Sequence, residues 1–363
     1  MEYGIYIHVP FCRHKCSYCD FVSGTNFNLK DKYVTSLIEE IDERAKGITL
    51  RTIYMGGGTP SMLAVDDIAT ILTEVAETAN VKPDAEISIE VNPEDFTEEY
   101  AGELKRKTPV NRLSIGIESA DDNILKWMER RHSATDALRS VDNARKAGFR
   151  NVSADMIFAV PGQTLQMVDD TLKLLVDSGV QHVSCYSLMF EEGSKITKKH
   201  FEPAAEGVSA EMYVLICRRL ADAGYLHYEI SNWAKPGFES RHNSGYWDLT
   251  PYIGVGPAAH SYDGGSIRRA NISSTVKYIK SREFTTEMLT DEERFNERLM
   301  LGLRTSKGVS LNDMTADFPS HWVDGMLRAA RKSQWIDITD GGIMTLREEG
   351  WYVADDIIAT LFH

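Results

Sequence analysis

Short runs rich in Val, Ile and Tyr alternate with longer segments of helical period through the first half of the chain. The runs cover residues 5–9, 52–55, 86–91, 112–117, 151–158 and 182–188, and the periodic segments cover 29–45, 65–79, 97–107, 133–147 and 164–177. The runs predict strands, and the three- and four-residue spacing between them predicts amphipathic helices. Punctuation agrees. Ser133 is a suitable N-cap with Asp136 in its first turn, and Gly148 and Gly179 stand where a helix ends on a left-handed residue. Strand–helix repetition implies an α/β fold with a parallel sheet and right-handed crossovers. Six units fit a partial (β/α)6 barrel. A flavodoxin-like open sheet is the competing architecture, and spacing does not separate the two.

Reactive groups of parallel barrels sit on loops at the carboxyl ends of strands, and unusual residues recur at those places here. A cysteine-rich loop follows the first strand, and Gly56-Gly57-Gly58-Thr59-Pro60-Ser61 follows the second. Glu90-Val91-Asn92-Pro93 ends the third, and Ser114-Ile115-Gly116-Ile117-Glu118-Ser119 ends the fourth. Asp155 lies on the fifth, ahead of Val160-Pro161-Gly162-Gln163. The glycine run lets a backbone approach a ligand closely. It lacks the Gly-Lys-Ser/Thr ending of a phosphate-binding loop.

Beyond residue 200 the alternation stops. Residues 207–223 read as a helix ending at Gly224, and 225–235 as aromatic-rich β structure. Residues 236–262, dense in Gly, Pro and Asn, read as a structured loop region. Short helices and a late turn, Thr339-Asp340-Gly341-Gly342, follow residue 290 and suggest a mixed α+β, winged-helix-like extension. The expected division is a barrel over 1–200, a linking region over 201–289 and a C-terminal domain over 290–363.

Composition narrows the classes. With 363 residues, 42% hydrophobic and 26% charged, the chain is ordinary for a globular protein of more than one domain. A net charge of −14 argues against general nucleic-acid binding. No apolar run is long enough to span a bilayer, and the start carries no basic leader, so a cytoplasmic location is expected. Of five cysteines, Cys12, Cys16 and Cys19 cluster, which is no disulfide framework. Cys185 and Cys217 are expected to be buried core residues.

The cluster is spaced C-x3-C-x2-C. A structural zinc site wants four protein ligands, which would recruit His8 or His14. Three thiolates alone suit an iron–sulfur cluster with one iron left open.

Tyr6-Ile7-His8-Val9-Pro10-Phe11-Cys12 and Tyr18-Cys19-Asp20-Phe21 resemble the radical S-adenosylmethionine (SAM) superfamily, in its HemN/HemW branch. The resemblance implies a radical SAM partial barrel. It implies a [4Fe–4S] cluster on Cys12, Cys16 and Cys19, with SAM chelating the fourth iron. By the same resemblance Gly57, Gly58 and Thr59 meet the amino acid end of SAM. Glu90, Glu118, Arg130 and Asp155 match SAM-contacting positions, and Tyr6 and Tyr18 match aromatics before and within the cysteine loop. Arg130 would pair with SAM's carboxylate bidentately. Glu118 departs from the usual glutamine, keeping the acceptor and losing the amide donor, and Ala120 replaces an aromatic.

His242-Asn243-Ser244-Gly245-Tyr246-Trp247 resembles a motif of the branch whose histidine ligates heme. A glycine-rich segment, 254–261, also matches, with His260 a weaker heme or substrate candidate. Two functions share this framework. One is a heme chaperone that passes heme to an acceptor protein, by family analogy a respiratory one. The alternative is an oxygen-independent coproporphyrinogen III dehydrogenase, which cleaves SAM to decarboxylate two propionates. Phe21 stands where the dehydrogenases carry a fourth cysteine, and their N-terminal segment is longer, so the chaperone is expected. A radical SAM enzyme on another porphyrin is a third reading. A homodimer is left open.

Overall fold

The computed structural model describes residues 1–190, 194–198 and 201–363. Strands β1 (Glu2–Val9), β2 (Thr49–Gly57), β3 (Asn80–Val91), β4 (Arg112–Glu118), β5 (Asn151–Phe158) and β6 (His182–Ser187) lie side by side in chain order. Every neighbouring pair among them is parallel. Helices Lys30–Arg44, Val65–Thr78, Glu98–Lys107, Ala134–Lys146 and Leu165–Ser178 make the crossovers. The Ser133–Asp136 capping box forms, and Gly179 ends its helix in the left-handed region. Sequential strand order excludes the flavodoxin arrangement, which places the second strand outside the first.

The sheet is extended rather than closed. Beyond β1 come the parallel strand β9 (Tyr252–Val255) and antiparallel β10 (His260–Tyr262), β11 (Ile267–Asn271) and β12 (Phe284–Met288). Beyond β6 come β8 (Asn232–Ala234) and then β7 (Leu226–Glu229), both antiparallel to their neighbours. Among the described residues this makes one 12-stranded sheet in which β1 and β6 do not pair.

Period-2 alternation gives the sheet two different faces. Ile53, Met55, Ile87, Ile89, Leu113, Ile115 and Ala154 belong to the buried apolar core with the helices. Their neighbours Thr52, Tyr54, Glu86, Ser88, Glu90, Arg112, Ser114, Ser153 and Asp155 form a polar face, and much of it is buried too. Buried polar groups cost free energy unless they are partnered, so this face is where chemistry is concentrated.

Residues 236–262 are not the loop that composition suggested. They hold helix Arg241–Trp247, capped by Ser240, together with β9 and β10. Helix Asp122–Trp127, capped by Asp121, was also not anticipated.

At the C-terminal end, helix Asp291–Gly302, β13 (Val309–Ser310), helices Leu311–Asp317 and Ser320–Ala330, β14 (Ile336–Ile338) and β15 (Ile343–Leu346) follow in winged-helix order. They pack around a three-stranded antiparallel sheet ordered β13-β15-β14. The Thr339–Gly342 turn joins its last two strands. The barrel boundary expected at residue 200 falls on 199–200, outside the described residues. One continuous apolar cluster runs from Ile5 to Leu361, so barrel and C-terminal helices share a core. No helix among the described residues is long and apolar enough to cross a membrane.

Candidate functional site at the carboxyl ends of the strands

β1 delivers the chain into the cysteine loop, and backbone bonds hold the loop there. Cys12 N–H donates to Gly24 O (3.1 Å), Gly24 N–H to Pro10 O (3.0 Å), and Ser17 N–H to Met128 O (3.1 Å). All three thiols are free. Cys12 Sγ lies 3.3 Å from Thr59 Oγ1, and the Arg130 guanidinium donates to Cys16 Sγ at 3.7 Å. Burial pushes the Cys16 thiol up despite Arg130, and pushes Cys19 up to about 11, with the neighbouring sulfurs adding to both shifts. Three thiols gathered where thiolates are disfavoured suit a polycationic iron core, which supplies the missing positive charge.

A single zinc ion needs its donor atoms drawn close together. Among the described residues, the three metal-ligating side chains whose donors all lie within 4.8 Å of one another are Cys217, His227 and Glu348, not the loop cysteines. His8 is not free to serve as a fourth ligand. Its Nε2 donates to Val22 O (2.8 Å) and its Nδ1 accepts from Tyr6 OH (3.1 Å). His14 Nε2 is paired with Glu129 (3.1 Å). The three loop sulfurs are thus not all within 4.8 Å of one another, and neither histidine is free to complete a zinc knuckle.

The glycine run packs on the entry to that loop. Gly58 N–H donates to Val9 O and Thr59 N–H to Phe11 O, both at 2.8 Å. Gly57 has φ +110°, and a Cβ there would lie 2.6 Å from the His8 ring; one on Gly58 would lie 2.7 Å from Phe11 O. Only glycine permits this approach. Gly57 N–H donates to Glu90 Oε2 (3.1 Å), and Tyr54 OH donates to Glu90 Oε1 (2.9 Å). Burial raises Glu90 to about 7. Asp155, bonded by Ser114 Oγ (3.1 Å), is raised to about 6 by burial and by the nearby Glu118. Two desolvated carboxylates on the polar face make a place prepared for a cation or a pair of hydroxyls.

Glu118 ends β4 with φ 65°, a left-handed conformation uncommon for a residue with a side chain. Its Oε1 accepts from Tyr18 OH (3.1 Å) and faces Arg130 Nη1 at 3.5 Å. Arg130 Nη2 also donates to Gly116 O (2.7 Å) and Asn92 Oδ1 (3.0 Å), while its Nε is buried without a hydrogen bond. The expected bidentate pairing of Arg130 with a ligand carboxylate thus has competitors within the protein. Glutamate in place of glutamine gives this arginine a full charge partner. Asn92 ties the assembly together, because its Nδ2 donates to Thr59 Oγ1 (3.1 Å). Sequence reasoning passed over Asn92 and Arg112, a buried arginine on the same polar face. For Arg112 the signal was a charge in phase with Ser114 and Gly116.

The structure brings Cys12, Cys16, Tyr18, Thr59, Glu118 and Arg130 into one bonded network, with Gly57, Glu90 and Asp155 around it. His242 lies elsewhere. Registers pair Gly4 with Thr52, Tyr6 with Tyr54 and His8 with Gly56. His242 packs at the Gly4–Thr52 level, four residues or about 13 Å along the strands from the glycine loop. Thr52 Oγ1 lies 2.8 Å from His242 Nδ1, and Tyr246 OH 2.9 Å from its Nε2. Tyr54 stacks on the ring at 5.1 Å, and Tyr6 stacks on Tyr54. Burial lowers the imidazole to about 3, aided by Arg112 and Arg51. His242 was expected to ligate heme; here its imidazole is buried and hydrogen-bonded within the protein. Both ring nitrogens are engaged, Nδ1 by Thr52 and Nε2 by Tyr246. His260 is exposed on an outer strand. Cys185 is buried as expected, but Cys217 is only partly so.

Phe21, Tyr186 and Met189 are 66%, 43% and 67% exposed. Phe21 leaves the cysteine loop, Tyr186 stands near the end of β6 and Met189 just beyond it, so apolar surface rims the carboxyl end of the barrel.

A profile of the radical SAM superfamily matches residues 6–175. The chain is 37% identical to the heme chaperone HemW of Lactococcus lactis over 313 residues, covering 84% of this chain and 82% of the relative. It is 33% identical to that of Bacillus subtilis over 365 residues, covering 96% and 94%. For that of Mycobacterium tuberculosis the identity is 35% over 382 residues, covering 99% and 94%. Among solved structures, the radical SAM coproporphyrinogen III oxidase HemN of Escherichia coli superposes with a TM-score of 0.85. It covers 99% of this chain and 89% of that one at 19% identity, which speaks to fold alone.

Proposed function

The chain belongs to the radical SAM superfamily and, within it, to the family of the heme chaperone HemW; from that premise we propose that it binds heme and passes it to acceptor proteins. The observation that carries this reading is identity sustained over nearly the whole of both chains, 33% across 365 residues. Phe21 at the position of the dehydrogenases' fourth cysteine supports it further, as does its exposure. Cys12, Cys16 and Cys19 are the residues to hold a [4Fe–4S] cluster. Gly57, Gly58, Thr59, Glu90, Glu118, Arg130 and Asp155 surround the place for SAM, with Tyr18 bonded to Glu118 and Tyr6 one layer deeper. When bound, cluster and SAM supply a one-electron donor beside a sulfonium. The chain's own contribution is to hold Glu118 and Arg130 as a fixed pair and to keep Glu90 and Asp155 desolvated.

Heme is best placed against the apolar rim of Phe21, Tyr186 and Met189. The decisive experiment reconstitutes the protein anaerobically and follows heme binding, heme delivery to an apo-hemoprotein, and turnover of coproporphyrinogen. Binding and delivery without turnover are expected; conversion to protoporphyrinogen would replace the chaperone by the dehydrogenase. Phe21→Glu combined with Met189→Glu is expected to weaken heme binding at least about tenfold, since each side chain contributes on the order of 1.5–3 kcal/mol when covered. His242→Gln is expected to change it by less than about twofold. Loss of binding only in the His242 variant would return the imidazole to the role of ligand.

The raised carboxylates set a pH dependence. A sulfonium favours the ionised forms of Glu90 and Asp155, so SAM binding displaces protons from groups with values of about 7 and about 6. Affinity is therefore expected to fall as pH drops from 8 to 5.5, by up to about tenfold per unit for each proton displaced. Equilibrium binding across that range checks it. Glu90→Gln should flatten the upper part of the curve.

A further inference from the structure

We propose that Cys217, His227 and Glu348 form a second metal site, for zinc or a cation of its class, that fastens the C-terminal domain to the barrel. The three donors come from separate elements. Cys217 lies on helix Glu206–Asp222, His227 on β7, and Glu348 opens the 3-10 turn Glu348–Val353 after the winged-helix sheet. Their ligand atoms all lie within 4.8 Å of one another. Thiolate, imidazole and carboxylate together suit zinc among the common divalent ions, with one coordination position left for water.

The imidazole is held as a ligand would be. Its ring stacks on Trp233 at 4.0 Å and 12° and is abutted by Trp351 at 4.2 Å and 59°. The side chain is 8% exposed, and Nδ1 faces Glu348 Oε1 at 3.3 Å. Nε2 is buried without a hydrogen bond of normal geometry. Packing thus fixes the ring plane with Nδ1 aimed at the carboxylate, and the Cys217 thiol lies within 4.8 Å of the same group. Glu348, 60% exposed, leaves a path for the ion. On binding, the Cys217 S–H bond breaks, its proton goes to solvent, and sulfur bonds the metal with no change of oxidation state. None of these residues belongs to the cysteine loop or the polar barrel face, so the site is independent of the heme reading.

Cobalt(II) is the probe, in the full-length chain carrying Cys12→Ser, Cys16→Ser and Cys19→Ser so that the loop sulfurs do not compete. One cobalt per chain is expected, with tetrahedral d–d bands and a thiolate charge-transfer band. Adding Cys217→Ala should remove the charge-transfer band, and adding the surface substitution Glu348→Gln should weaken binding at least about tenfold. In cluster-loaded wild type, metal analysis should find zinc besides iron, and Glu348→Gln should lower it. Absence of cobalt binding, or the same band after Cys217→Ala, overturns the proposal. So does unchanged affinity in Glu348→Gln, a variant whose exposed position leaves folding intact.

Discussion

Cys16→Ser protein, reconstituted anaerobically with iron and sulfide, is expected to hold less than one iron per chain against about four for the wild type. Cys16 is the thiol addressed by Arg130, and its loop is pinned from both sides by backbone bonds to Gly24 and Met128. No other cysteine can take its place. Cys185 is sealed in the core, and Cys217 lies on helix Glu206–Asp222 beside His227 and Glu348. Serine retains shape and polarity but is a far harder, more basic ligand, so two remaining thiolates would not retain the cluster. Iron and labile-sulfide assays read the result, with Cys185→Ser as the control expected to keep a full complement. A full complement in the Cys16 variant would remove the basis for a cluster at this loop.

The second large effect concerns Arg130 and Glu118. Their side chains are 7% and 9% exposed, and no other cation is paired with Glu118 among the described residues. Arg130→Ala strands a carboxylate in a desolvated pocket and also frees Gly116 O and Asn92 Oδ1. A loss of about 3–5 kcal/mol is expected, because breaking a buried pair costs more than the pair contributes. Urea unfolding of the cluster-free protein measures it. Arg130→Met combined with Glu118→Leu should recover most of the stability while abolishing SAM binding. That split separates the pair's structural share from its functional one. A loss below about 1 kcal/mol for Arg130→Ala would show that Glu118 finds water or another donor.

Much of the barrel was legible because its signals are local. Strand positions, helix caps and the placement of Gly57 and Glu90 at strand ends and of Asp155 on the fifth strand all follow from periodicities of 2 and 3.6 and from turn chemistry. Strand order was not legible. A strand–helix repeat reads the same whether the second strand lies inside or outside the first. Helix Arg241–Trp247 was missed because Gly, Asn and Ser in its sequence favour turns in isolation. Here Ser240 caps it, and the Glu86 carboxylate accepts from Arg241 N–H and His242 N–H. That carboxylate comes from β3, more than 150 residues away.

Motif resemblance named residues and could not say how far each is free to act. Arg130 and His242 look alike as exposed functional groups in the sequence, yet one is locked to Glu118 and the other sealed between two hydroxyls. The amino-acid sequence by itself determined the repeating α/β character, the three-thiol loop and the glycine approach, since each depends on neighbours a few residues apart. Only the tertiary structure decided strand order, the depth of His242 and the meeting of Cys217, His227 and Glu348. Those depend on burial and on distances between segments far apart in the chain, which no local pattern encodes.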